Sequence, residues 1–170
     1  MGIYDQLTLS PVETRALENS PLDLLYGPDE QIPVITVSNF PALGQLAAMR
    51  FIEWVQDHPG GVVSLPTGKT PEHVIKWVNR LVRTWDQPGT RELLEKNCID
   101  PARKPDMRSL HFVQIDEFYP IQPVQKNSFY HYVKQYYLEG MGLDPRKALL
   151  MNCQERSEEH TSELQSRVDI

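Results

Sequence analysis

Gly61-Val62-Val63-Ser64-Leu65-Pro66-Thr67-Gly68-Lys69-Thr70-Pro71 is the stretch on which the fold turns. Val62 to Leu65 is a short apolar run of strand composition, bounded by Gly60-Gly61 and by Pro66. Thr67, Gly68, Lys69 and Thr70 follow as a small, polar loop, and Pro71 opens a helical pattern in which its missing N–H costs nothing. Strand, tight loop and helix N-terminus together aim unpaired backbone N–H groups and the positive end of a helix dipole at one point. Gly68 allows close approach, Thr67 and Thr70 add hydroxyls, and Lys69 adds a charge. The stretch is expected to cradle a phosphate. The simpler alternative is a βα turn with Thr70 as the helix N-cap, which many α/β proteins have. A Walker A loop is excluded, because the position needing its first glycine is Val63.

Working outward, the flanking segments repeat the strand-then-helix order. Pro33 to Ser38 is a β-branched run expected to be the first strand, and a helix is expected from about Pro41 to His58 with Leu43, Ala47, Phe51, Trp54 and Val55 inward. After the cradle, Val74, Ile75, Val78, Leu81 and Val82 share one helix face, and Thr90 to Lys96 reads as a further short helix. Ser109 to Ile115 is the next strand candidate. Asn127 or Ser128 is expected to cap a helix running to about Glu139 with Phe129, Val133, Tyr136 and Tyr137 inward, and Ala148 to Met151 is the last strand candidate. Upstream, Ser10-Pro11-Val12-Glu13 has capping-box form and predicts a short helix from Pro11 to about Glu18, with loop from Pro21 to Pro33. Strands alternating with helices, without hairpin turns, predict an α/β fold with a Rossmann-like parallel sheet flanked by helices.

Ligands of such sheets bind at the carboxyl ends of the strands. There the cradle meets Asp116-Glu117, which follows the strand ending at Ile115. Two acids beside a phosphate site are unsuited to holding the phosphate and suited to moving protons on the organic part of a phosphorylated substrate. The plainer reading is a capping Asp with a solvated Glu.

The totals fit a globular, cytosolic protein. A net charge of −6 argues against nucleic-acid or anionic-membrane partners, and no apolar run reaches the ~20 residues that span a bilayer. Cys98 and Cys153 have no ligand-spaced companions and read as reduced thiols, so a cytoplasmic location and no metal site are expected.

Ser64 to Pro71, Phe112 to Phe118 and Asn127-Ser128-Phe129-Tyr130 together resemble the glucosamine-6-phosphate deaminase/isomerase family, whose superfamily includes the 6-phosphogluconolactonases. The resemblance runs over roughly Pro33 to Met151. It implies a hexose phosphate or amino-sugar phosphate held by Thr67, Gly68, Lys69 and Thr70, and Asp116 as the base that moves a proton between C1 and C2 of the opened sugar, releasing ammonia and a ketose phosphate. Glu117 matches the second acid and Ser128 a substrate contact. No metal or nucleotide cofactor is implied. Two positions depart from the family pattern: Lys69 stands where a small residue is usual, and Phe118 where the deaminases have Tyr. Lactonases tend to carry Arg at the Phe118 position, which favours the deaminase side. A homo-oligomer is an expectation for the full-length form.

The family's Gly-rich loop and catalytic His have no counterpart after Met151. Arg156 to Ser166 instead resembles the in-frame translation of a sequencing adapter, so 153–170 is expected to be an artefactual or disordered tail, with 1–32 a polar lead-in and 33–152 the N-terminal part of the domain. On that expectation the fragment is inactive alone and His160 is no base. Among the other histidines, only His73, in the first turn after the cradle, is placed to reach a ligand; the tyrosines at 130, 132, 136 and 137 read as packing residues. The competing functions are a lactonase of the same superfamily and a sugar-phosphate sensor that binds without turnover.

Overall fold

The computed structural model describes residues 9–20 and 35–154. The expected loop from Pro21 to Pro33 and the expected tail from Glu155 onward lie outside them, as do Pro33 and Val34 of the first expected strand. Three short strands form a parallel sheet in the order β1 (Val62–Val63), β2 (His111–Val113), β3 (Ala148–Leu149). Val63 lies beside Phe112 and Phe112 beside Ala148 in register. The strands are shorter than their apolar runs. Ile115 is half-exposed, and Ile35 to Val37 pair with no described strand, so the β-branched run expected there is not a strand in its described part. A β-branched composition suits extended backbone, but a strand also needs a partner edge.

Among the described residues five α-helices accompany the sheet: α1 (Pro11–Glu18), α2 (Phe40–Asp57), α3 (Glu72–Arg83), α4 (Pro88–Lys96) and α5 (Phe129–Tyr132). The last continues directly into a π-wound segment, Val133–Gly140. Their start signals are local. Ser10 and Glu13 form the expected reciprocal capping box, Asn39 caps α2 by accepting from the Ala42 N–H at 2.9 Å, and Ser128 caps α5. α1 packs on α2, where Val12 is buried and its N–H donates to the Glu53 carboxylate at 3.1 Å.

The ladder of two- and three-residue strands is too small to hold the sheet. A backbone hydrogen bond nets about 1 kcal/mol, whereas burying a large apolar side chain contributes about 1.5–3 kcal/mol. The core therefore decides the stability: Val63 and Phe112 from the sheet, Ile52 and Val55 from α2, Ile75, Val78 and Leu81 from α3, and Val133 and Tyr137 beyond α5. Trp85 closes one end, with its indole N–H on the Pro101 carbonyl at 2.9 Å.

The inward face of α2 differs from the expected one. Ala48, Met49 and Ile52 are buried with Val55, while Leu43 is half-exposed. Gly44 is the reason. A Cβ there would lie 2.3 Å from the Cβ of His73, so α2 and α3 meet at this glycine and the helix turns its small residues inward. His73 is accordingly placed at the α2–α3 contact.

Candidate active site

The cradle leaves the carboxyl end of β1 and the acidic loop leaves that of β2, adjacent and parallel. The hydroxyl of Ser64 donates to the Val113 carbonyl at 2.7 Å and ties the two strand ends together. Gly68 has φ +92° with nothing near its absent Cβ, so the glycine is required by backbone conformation and not by crowding. α3 starts at Glu72, one residue later than expected, and no side chain caps it; Thr70 is not the cap. Instead, the N–H of Glu72 donates to the Lys69 carbonyl at 3.2 Å. Among the described residues, the amides of Gly68, Lys69 and Thr70 donate to no protein group. Thr67 is half-buried, while Lys69 and Thr70 are exposed.

The acidic loop is built differently. Asp116 is exposed, and its carbonyl accepts from the side chain of Gln114 at 2.8 Å. Gln114 is fully buried, and its side-chain amide oxygen accepts from the Met151 N–H at 3.0 Å, so it links the acidic loop to the chain beyond β3. Glu117 points to the N-terminus of α5. It accepts from the Ser128 hydroxyl at 2.7 Å, the Tyr130 N–H at 2.7 Å, the Phe129 N–H at 2.9 Å and the Phe118 N–H at 3.0 Å. Partial burial pushes its carboxyl up, but the Tyr130 and Phe129 amides, the Ser128 hydroxyl and the Phe118 amide together outweigh this and hold it below the ordinary carboxylate range. Ser128, 1% exposed, is thus engaged with Glu117 and with the His131 N–H.

The helix that Glu117 anchors reaches back to the cradle. Tyr132 donates its hydroxyl to the Gly68 carbonyl at 2.7 Å, and the Tyr137 hydroxyl donates to the Pro66 carbonyl. These two residues belong to the group expected only to pack. They do pack, Tyr137 against Phe112 with ring centres 5.5 Å apart, yet each also ends on the loop that precedes α3. The signal in the sequence was their five-residue spacing, which does not fit one face of an α-helix. Gln114 gave no signal beyond being a polar residue in an apolar run.

A cleft of about 510 Å³ adjoins the cradle between α3 and the π segment, touching Gly68, Lys69, Glu72, Asn79 and Tyr132. A larger hollow of about 650 Å³ runs along Lys126, Tyr132, Lys134, Tyr136 and Glu139, and its lining includes neither the cradle nor Asp116. Among the described residues no group of three His, Cys, Asp or Glu side chains could hold a metal ion, and no helix is long and apolar enough to cross a membrane.

No family model matches the chain. In sequence it is 29% identical over 114 residues to a glucosamine-6-phosphate deaminase of Bacillus velezensis, covering 67% of this chain and 39% of that protein. Among solved structures, a monomeric glucosamine-6-phosphate deaminase described as a missing link of the NagB superfamily superposes with a TM-score of 0.57. That match has 18% identity and covers 78% of this chain and 47% of the other. The fold matches about half of that deaminase's fold. The family resemblance carried by the motifs thus holds in sequence and in architecture, and the parallel α/β sheet matches the expected class. The chain spans less than half the length of either deaminase.

Proposed function

We propose that this chain carries the phosphate-binding and proton-transfer half of a sugar-phosphate site, and that the whole protein converts glucosamine 6-phosphate and water to fructose 6-phosphate and ammonia. The supporting observation is the closed circuit of hydrogen bonds around one rim: Ser64 to the end of β2, Glu117 to α5, and Tyr132 and Tyr137 back to the cradle. Among the described residues, that circuit leaves the amides of Gly68, Lys69 and Thr70 and the side chain of Asp116 without a protein partner. The amides and the α3 N-terminus suit a dianionic phosphate. A carboxylate on the neighbouring strand end suits abstraction of a proton next to the carbonyl of an opened sugar, provided the proton returns one carbon away.

In this reading Thr67, Gly68, Lys69 and Thr70 bind the phosphate and Asp116 is the base. Glu117 and Ser128 act through α5, orienting the rim, and His73 contributes from the α2–α3 contact. Calorimetric titration with fructose 6-phosphate tests binding, and ammonia release from glucosamine 6-phosphate tests turnover. Asp116→Asn is expected to retain binding and to abolish any turnover; an unchanged rate would remove Asp116 from the chemistry. Binding without turnover by the whole protein would favour the sensor, and hydrolysis of 6-phosphogluconolactone would favour the lactonase.

A further inference from the structure

We propose that the π-wound segment Val133–Gly140 is a positioning device for the phosphate cradle, with Tyr132 and Tyr137 as its two contacts. The inference rests on the sugar-phosphate reading of the cradle and adds residues that the motifs do not contain. Residues five apart on an α-helix lie about 140° apart round its axis, so their hydroxyls would point to different neighbours. Hydrogen bonding wound one residue wider brings positions five apart close to one line. Tyr132 stands at the junction and Tyr137 within the wide segment, and both hydroxyls reach the same loop, on the Gly68 and Pro66 carbonyls.

The choice of acceptors matters. A loop that binds an anion through its N–H groups must turn its carbonyl oxygens away, because a carbonyl facing a phosphate repels it. The two tyrosines hold the carbonyls of residues 66 and 68 on the α5 side. The amides of Gly68, Lys69 and Thr70 donate to no protein group among the described residues. Positive φ at Gly68 makes this carbonyl orientation the fragile one, since a glycine reorients easily once its restraint is gone. Burial, with smaller contributions from Tyr136 and Glu72, pushes the Tyr132 hydroxyl up to about 12, and burial and Tyr132 push Tyr137 higher still. Both therefore remain proton donors across the working pH range. Ring contacts fix the pair: Tyr132 lies 4.5 Å from Tyr136 and 5.9 Å, edge-on, from Tyr137.

The test is Tyr132→Phe and Tyr137→Phe in the full chain, with Tyr136→Phe, which removes a hydroxyl that holds no part of the loop, as control. Backbone amide order parameters for Gly68, Lys69 and Thr70 are expected to fall from ~0.85 to below ~0.6 in either of the first two variants, with α4 unchanged. Affinity for fructose 6-phosphate is expected to fall about tenfold, the equivalent of one lost hydrogen-bond restraint. Unchanged order parameters in Tyr132→Phe, the less buried and safer substitution, would overturn the inference whatever happens to binding. Failure of the unaltered chain to bind any sugar phosphate would instead count against the sugar-phosphate reading, while the order parameters still decide whether the tyrosines hold the loop.

Discussion

Two helix N-termini face the same rim, and they are treated in opposite ways. At α5 the chain supplies its own anion: Glu117 takes two backbone amides and the Ser128 hydroxyl. At α3 no side chain caps the helix, although Thr70 stands one residue before Pro71 and is chemically able to do so. Each helix is the next one after a strand of the parallel sheet, α3 through a short loop and α5 through a longer one, so strand order alone does not separate them. What differs is which helix end the protein satisfies internally. A carboxylate engages the first. The amides before the second donate to no protein group among the described residues and, in the proposed function, form the phosphate receptor, which Tyr132 and Tyr137 tie to the first helix.

The comparison breaks most severely at Glu117. Removing its carboxylate in Glu117→Ala leaves the amides of Phe129 and Tyr130 without their acceptor, which is expected to cost about 2–3 kcal/mol and lower Tm by roughly 5–10 °C. Thermal unfolding by circular dichroism measures it, and a loss below about 0.5 kcal/mol would mean that water replaces the carboxylate freely. The same residue sets a pH dependence. Its folded pKa lies below the ordinary 4.5, so its stabilisation is complete above that value and is lost as pH falls through the lower, folded one. The stability gap between the unaltered protein and Glu117→Gln should therefore be widest near neutrality and shrink below pH 4.5. A gap that stays constant down to acid pH would deny Glu117 its charge-dependent role.

Gly68→Ala is the next in size. Its φ of +92° disfavours any side chain while no atom lies in the way, so about 1–2 kcal/mol of pure backbone strain is expected, with sugar-phosphate affinity falling alongside. The smallest effect runs in the other direction. Thr70→Asp puts a carboxylate before α3, imitating the α5 arrangement, and should stabilise the fold by about 0.5–1 kcal/mol. The same change should repel a phosphate, weakening fructose 6-phosphate at least tenfold. A variant that is more stable and binds as well as before would show that the α3 N-terminus is not the receptor.

The sequence made the strand–loop–helix units legible because their signals are local: glycine or proline at the breaks, Ser10 with Glu13 at one cap, Ser128 at another. The cradle was legible for the same reason. Thr70 was misleading as a cap, since a capping residue type does not reveal whether its hydroxyl will face the helix. Leu43 was misleading too, because apolar periodicity favours large side chains, whereas α2 and α3 meet at Gly44 and His73. The π segment lay beyond reach in another way. Over twelve residues a period of 3.6 and a slightly wider one place Val133 and Tyr137 inward alike, and only the two hydrogen bonds to the cradle distinguish them. Gln114 needed the third dimension, for its two partners come from the acidic loop and from the chain past β3.

Helices cover one face of the sheet among the described residues, where Val63 and Phe112 are buried, while Val62 at 63% and Leu149 at 69% exposure sit on the other. In the folded protein these side chains are already in water, so unfolding releases little additional apolar surface from that side. The slope of a urea titration follows the surface newly exposed. This protein should accordingly unfold over a broader range of urea than its length suggests, with a transition whose shallowness records the exposed face and not a loss of cooperativity.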